Sequence, residues 1–492
     1  MAQPNLLFLF TDEQRADTMA AYGNEKIEAP NLNRLSEHST VFERAYVTQP
    51  VCTPSRSTIL TGLYPHTNGC VANNIPLREE TPCLPELLTR NDYACAYHGK
   101  WHLGDEIFCQ HGFDEWVSIE DGYRGYYSEG RPADARSSYH QWLTANGFTP
   151  KSGEYFGRGE ATRLPEPYGK PAFLAQEASR FIRQNRERPF VLFVNFLEPH
   201  MPFFGPRDGQ YPPASVDLPP NFESPPTADN HLKSRALQRR YQEKGFGMPL
   251  ETGEDWRKLI SNYWGLCSLV DTHVGTILGT LEECGLYDDT IIVYTSDHGD
   301  MMGSHRLLAK CVMYEEATRV PLLVKLPGQK TSERIAPPVS QVDLVPTLLD
   351  LMGEPVPTES TELEGSSLLT GPGDFGSGPQ RDLFIEWNGP NSGAKELSSD
   401  DPLPEWLREL GTREELSEAI TDSIRTVVTP DGWKYNCSPR GDHELFNLTR
   451  DPYETINLAG RADLAPLRQD LTTRIRKWQE YTGDRVELPD AE

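Results

Sequence analysis

Four short apolar runs in this chain carry no polar alternation: residues 5–10 (NLLFLF), 93–97 (YACAY), 189–196 (PFVLFVNF) and 290–295 (TIIVYT). A strand with one wet face alternates apolar and polar residues, so runs of this kind fit a sheet covered on both faces. Stretches with helical spacing lie between them. Residues 262–283 put Leu266, Leu269, Val270, Val274, Ile277, Leu278 and Leu281 on one face, and 342–352 repeat the pattern on a smaller scale. The alternation predicts an α/β fold, with a large mixed, mostly parallel sheet flanked by helices.

A Gly- and Pro-rich stretch at 371–380 (GPGDFGSGPQ) marks a boundary, dividing the chain into a catalytic-sized unit over 1–370 and a smaller α+β unit over 371–492. In the second unit, 383–387, 424–429 and 433–437 read as strands of an antiparallel sheet with a turn at Pro430-Asp431-Gly432. An amphipathic helix over 464–481 packs on them. The Pro-rich segment 201–230 reads as a long surface excursion. No run approaches 18 apolar residues, and the N-terminus lacks the positive stretch of a signal peptide. The chain as given therefore reads as cytoplasmic. Its nine cysteines follow no pairing rhythm and read as reduced thiols. With 47 basic against 73 acidic residues, the net charge is -26, which repels phosphate backbones and anionic membranes. Neither nucleic acid nor a membrane is an expected partner. An anionic substrate would need a local pocket of cations.

The chemistry gathers where the apolar runs end. The first ends in Thr11-Asp12-Glu13, the second in His98-Gly99-Lys100-Trp101-His102, the third in Glu198-Pro199-His200 and the fourth in Ser296-Asp297-His298-Gly299-Asp300. Ligands of open α/β sheets bind at the carboxyl ends of the strands, so these groups would meet at one edge. A lone Asp after a strand is often only a helix cap, and a lone His is usually structural. Four coincidences at one sheet edge outweigh both readings. Asp12, Asp297 and His298, joined by Glu13, look like a site for a hard divalent cation such as calcium, magnesium or manganese. A sole imidazole without clustered cysteines does not make a zinc site.

The remaining element is Cys52-Thr53-Pro54-Ser55-Arg56, running into Ser57-Thr58-Ile59-Leu60-Thr61-Gly62. Pro54 suits the first position of a helix, which would put Cys52 at a helix N-terminus, a place that favours anions. A buried structural cysteine and a thiolate nucleophile are both compatible with that position. Cys-x-Pro-x-Arg followed by the Thr-Gly helix resembles the signature of the type I, formylglycine-dependent sulfatases of the alkaline phosphatase superfamily. Gly99-Lys100-Trp101-His102-Leu103-Gly104, Asp297-His298-Gly299 with Lys310, and Glu444-Leu445-Phe446-Asn447-Leu448 followed by Asp451-Pro452 are similar to later motifs of that family.

The resemblance implies that a formylglycine-generating maturation enzyme oxidises Cys52 to an aldehyde, which hydrates to a geminal diol. One oxygen, held on the metal, attacks sulfur. The second hydroxyl is then deprotonated, and collapse of the hemiacetal releases sulfate. It further implies one divalent ion, with calcium preferred over manganese or magnesium, held by Asp12, Asp297, His298 and residue 52. Many relatives carry Asp where this chain has Glu13. Arg56 would hold the diol oxygen, Lys100 would bridge nucleophile and sulfate, and His102 would be the base for collapse. His200 and Lys310 would bind sulfate and protonate the leaving group. The implied substrate is a small sulfated carbohydrate or an aryl or alkyl sulfate, and assembly into a homo-oligomer is left open.

Two alternatives stand beside this reading. One is a phosphonate monoester or phosphodiester hydrolase of the same superfamily. The other is a non-catalytic sulfoglycan-binding protein, which would be expected to have lost one of the motif residues. Asn73, Asn74, Arg78, the Pro-rich segment, the acidic stretch near 391–405, and Phe203, Phe204 and Trp264 are candidate walls for the alcohol part of the substrate.

Overall fold

In the computed structural model, residues 3–489 are described, apart from 91, 127, 133, 152, 358–362, 390–396 and 398–401. The main sheet has eight strands in the order Glu333–Ile335, Thr40–Phe42, Leu322–Lys325, Thr290–Ser296, Asn5–Asp12, Phe190–Pro199, Ala94–Gly99 and Glu115–Ser118. Neighbours run parallel except at Leu322–Lys325, which is antiparallel to both of its neighbours. The four apolar runs are thus adjacent strands at its centre. All eight residues of Asn5–Asp12 are buried. Leu6, Phe8 and Phe10 face Ile59, Leu60 and Leu348 on one side, while Leu7 and Leu9 face Val270, Ile277 and Leu278 on the other. The absence of polar alternation therefore has a direct cause: neither face meets water.

The long helix on one face is Gly253–Glu283, capped by Thr252, whose hydroxyl accepts from the Asp255 N–H while the Asp255 carboxylate bonds back. It starts nine residues before the expected position, because its polar first turns still carry Trp256 and Leu259 at helical spacing. Those two side chains correct the reading of 201–230 as a surface excursion. Phe203, Tyr211, Val216 and Phe222 are buried against Trp256, Leu259 and Tyr263 in a satellite core. Proline stops that segment from joining a ladder, but it does not stop aromatic residues from packing.

The C-terminal sheet is antiparallel, in the order Leu383–Glu386, Arg425–Val428, Trp433–Cys437 and Glu444–Asn447. Its fourth strand is additional to the three expected. The helix Ala465–Thr482 covers it, laying Leu471, Ile475 and Trp478 on Val427, Tyr435 and Leu445. A small three-stranded sheet is formed by Ala45–Tyr46, Arg319–Val320 and Val339–Ser340. Among the described residues, no helix is long and apolar enough to cross a membrane.

Candidate active site and metal centre

The central strands deliver their last residues to one edge. Asp12 ends its strand, Lys100 follows Gly99, His200 follows Pro199, and Asp297 and His298 follow Ser296. The approach of the strands there is tight. A Cβ on Gly99, which sits at φ +126°, would lie 2.0 Å from the backbone oxygen of Asn195, so only glycine lets the chain turn out toward the site.

Cys52 arrives from a helix. Cys52–Thr61 is helical with Val51 as an extended N-cap, so Cys52 is its first residue and Pro54 its third, not its first. Proline is tolerated at that position because N–H groups of the first turn have no intrahelical acceptor. The Cys52 Sγ is 3.2 Å from His298 Nε2 and 3.8 Å from Asp12 Oδ1, and the residue is 1% exposed. His298 Nδ1 lies 2.9 Å from the Gly299 oxygen, so Nδ1–H donates there and Nε2 faces the sulfur.

Arg56 braces this arrangement. It is fully buried, and Nε donates to Asp297 Oδ2 at 2.8 Å and Nη2 to Asp12 Oδ2 at 2.8 Å. Nη1 donates to the Lys100 oxygen at 2.7 Å and to Asn195 Oδ1 at 2.6 Å. Each carboxylate spends one oxygen on the guanidinium and turns the other toward Cys52 and His298. Lys100 Nζ adds a 2.5 Å bond to Asp12 Oδ2. Burial pushes the Asp12 carboxyl up, but Lys100, His200 and Arg56 outweigh it and hold it well below the usual range. Burial and Asp12 raise the Cys52 thiol, while Lys100, Lys310 and His298 bring it below its ordinary value.

Asp12, Cys52, Asp297 and His298 offer four ligand atoms, all within 4.8 Å of one another and all buried. Two carboxylates, an imidazole and an oxygen in place of the sulfur suit a hard divalent ion. Asp12, Glu13 and His200 form an adjoining group. Neither Glu13 carboxylate oxygen accepts a well-aligned hydrogen bond, although Oε2 is 3.0 Å from Lys310 Nζ. Burial raises Glu13 to about 8, Lys310 opposing and Asp300 adding to the rise. A cation beside these orphaned oxygens would relieve that cost, so the residues present fit the implied ion.

The other expected residues stand around this centre. His102 Nε2 is 3.0 Å from Asn74 Oδ1, and its Nδ1 is buried without a partner. An amide oxygen only accepts, so Nε2 carries the proton and Nδ1 is a bare lone pair. Burial, then Lys100 and Arg56, push this imidazole well below its ordinary value. His200 Nε2 lies 3.4 Å from Glu13 Oε2 and 4.0 Å from Asp12 Oδ1, and burial followed by Lys310 keeps it neutral. Lys310 is held charged: burial opposes this, but Cys52, Glu13 and Asp12 prevail.

Asp300, buried beside Glu13, closes the polar stretch after the fourth run without a role expected of it, and Asn195, which positions Arg56, did not stand out in the sequence. Nor did Tyr123, whose ring centroid is 4.5 Å from that of His102. Asn195 lies inside an apolar run, and that single polar residue was the available signal. Among the candidate walls, Asn73 accepts the Thr53 N–H and Asn74 meets His102, whereas Arg78 packs against Gly69. Phe203 and Phe204 line a cavity of about 610 Å³ together with Arg163, Phe246, Met248 and Lys258. Trp264 packs edge-on to Tyr211. Most of the acidic stretch near 391–405 lies outside the described residues.

A family model described as Sulfatase matches residues 4–354. The chain is 27% identical to the multifunctional alkaline phosphatase superfamily protein PehA of Trinickia caryophylli, over 99% of this chain and 97% of that protein. It is 25% identical to the ulvan-active sulfatase of Formosa agariphila, over 99% of this chain and 83% of that protein. The solved phosphonate monoester hydrolase of Silicibacter pomeroyi shares the fold with a TM-score of 0.76 and 23% identity, covering 98% of this chain and 96% of that one.

Proposed function

This chain belongs to the sulfatase family of sulfuric ester hydrolases, and on that footing we propose that it cleaves a small sulfated carbohydrate or an aryl or alkyl sulfate, using a nucleophile made from Cys52. The observation that carries the reading is Cys52 itself, the first residue of its helix and buried among the ligand atoms of Asp12, Asp297 and His298. A divalent ion, with calcium preferred, would be held by those three residues and position 52. When bound, it supplies positive charge against the oxyanion of the transition state. Formylglycine at position 52 would supply a hydrated aldehyde as an oxygen nucleophile in place of the thiol, after action by a maturation enzyme.

The chain's own side chains do the rest. Arg56 fixes the spacing of Asp12 and Asp297, so the ligand oxygens need not reorganise during reaction. Lys100 and Lys310 supply the local positive charge that a chain of net charge -26 otherwise lacks. His102 offers the bare Nδ1 that can take the hydroxyl proton when the hemiacetal collapses. Lys310 keeps its proton and can deliver it to the leaving oxygen. His200, neutral while the pocket is empty, gains a proton only once an anion lies against it, because a nearby negative charge favours the imidazolium.

A second reading, a hydrolase of phosphonate monoesters or phosphodiesters, draws support from PehA, described as multifunctional, and from the likeness in fold to a phosphonate monoester hydrolase. One experiment separates the two. Matured enzyme is assayed on an aryl sulfate and on the matched phosphonate monoester and phosphodiester with one leaving group. Sulfate should lead in kcat/KM by about tenfold or more, roughly 1.4 kcal/mol in transition-state binding. Cys52→Ala should abolish sulfate release, and peptide mass spectrometry should find the aldehyde at position 52 in the active enzyme. A reversed ratio moves the chain to the second reading, and activity retained in Cys52→Ala removes both.

A further inference from the structure

Arg158 stands beside His200, and neither the family motifs nor the roles described above use it. Its guanidinium is anchored on one side only: Nε donates to Glu120 Oε2 at 2.6 Å, and Nη2 donates to the Tyr123 hydroxyl at 2.8 Å. Nη1 comes to 3.4 Å from His200 Nδ1. Of the two contacts at Nδ1 this is the longer, and the two exclude each other because they need opposite tautomers. His200 Nδ1 lies only 2.8 Å from the Met201 oxygen, so it carries the proton and donates there, and two donors then face each other. Nη1 is left without an acceptor, one imidazole's width from the Nε2 edge that looks onto the metal centre.

The local charges do not cancel either. Glu120 is bonded to both Arg158 and Lys170, and the Glu198 carboxyl that also faces these two cations is pushed up by burial to about 7 and offsets them only in part. The field of Arg158 reaches both imidazoles of the site, reinforcing the effect of burial on His102 and His200. Its side chain keeps 26% of its surface exposed, and Tyr123, which it touches, lies against the His102 ring. A surplus positive charge with a free donor, reachable from solvent and adjoining the reacting centre, is a receptor for an anion.

We propose that Arg158 recognises a second anionic group on the alcohol part of the substrate, a carboxylate or another sulfate, so that the preferred substrates carry two negative charges. This rests on the sulfatase reading and deepens it by naming a substrate class. Tyr123, turned by its bond to Arg158 toward His102, would meet a neighbouring sugar hydroxyl.

The test uses the full-length matured chain with metal and three series of sulfated sugars: neutral monosulfates, hexuronate monosulfates, and the same sugars carrying a second sulfate. The ratio of kcat/KM for each dianionic substrate over its neutral counterpart should be about tenfold or more. Arg158→Gln should bring that ratio to about two or less, mainly through KM, and Arg158→Lys should keep part of it. The series that leads identifies the anion as carboxylate or sulfate. Equal loss on neutral and dianionic sugars in Arg158→Gln would make the residue a mere support of His200 and overturn the proposal. A separate binding arm does not need turnover. Disulfated and hexuronate sugars are titrated calorimetrically into Cys52→Ala, with and without Arg158→Gln. Affinity unchanged by the second substitution overturns the proposal, whatever the kinetics. Absence of sulfate release from every sugar and aryl sulfate, with dianion binding still dependent on Arg158, would instead remove the sulfatase reading and leave the anion site standing.

Discussion

Replacing Arg56 by lysine keeps the charge and removes the fork. The guanidinium serves four acceptors in one plane: Asp297, Asp12, the Lys100 oxygen and Asn195. An ammonium at that place reaches one side of the plane. Asp12 keeps Lys100, and the Lys100 oxygen keeps the Tyr97 hydroxyl at 2.6 Å. Asp297 Oδ2 and Asn195 Oδ1 lose their donors at two residues that have no exposed surface. Leaving a buried charged acceptor and a buried neutral one unpaired costs about 3–5 kcal/mol together. An unfolding entropy of about 2 cal/mol/K per residue gives about 1 kcal/mol/K for a chain of this length, so the melting midpoint should fall by about 3–5 °C. Scanning calorimetry of the chelator-treated protein measures it. Because Arg56 and both carboxylates are wholly buried, the shift should be the same at about 0.05 M and about 0.5 M salt. Lys330→Ala, which breaks the exposed pair with Asp288, should give no resolvable shift. A shift for Arg56→Lys below about 1 °C, or one that disappears in salt, would refute the reasoning that this guanidinium is the brace of the site.

Asp297→Ala removes one of the four donors and also frees Arg56 to compete for Asp12; calcium measured by elemental analysis after dialysis should fall from about one per chain to under about a tenth, and unchanged content would place the ion elsewhere. Burial raises Glu106 from its ordinary 4.5 to about 7, against the Trp101 and His102 N–H groups that bond it. The folded chain therefore holds a proton there that the unfolded chain has released, so this group's contribution to stability falls as pH rises from 4.5 to about 7. Glu106→Gln cannot ionise and should flatten that part of the midpoint-against-pH curve; an identical slope in both proteins would contradict the linkage.

The centre of the fold was legible because burial on both sides of a parallel sheet writes itself as uninterrupted apolar residues. The candidate ligands Asp12, Asp297 and His298 were legible because they sit two or three positions beyond such a run, whereas Cys52 was legible only through the motif around it. Leu322–Lys325 and Thr40–Phe42 are too short to carry a period, and their pairing with each other joins Thr40 to Val324, 284 positions away. Asn195 and Arg158 act through contacts that only the closed fold creates, across 139 and 42 positions respectively. The Pro-rich segment misled for a different reason. Its composition reports that its backbone avoids ladders, and says nothing of where Phe203 and Phe222 point.

The near-complete enclosure of Cys52 also orders events in time. At 1% exposure, this sulfur cannot enter the active site of another protein once the chain has closed around it. Closure needs the strand Thr290–Ser296 and the residues just after it, since Asp297 and His298 are two of the walls. At roughly 5–20 residues per second, the ribosome takes on the order of ten seconds or more to travel from Cys52 to that strand. On the proposed reading, oxidation of the thiol would belong to that interval, while the emerging polypeptide is still open. A molecule that folds before being oxidised would be locked in its thiol form, and renaturing purified, unmodified chains beside the maturation enzyme should rescue only those still unfolded.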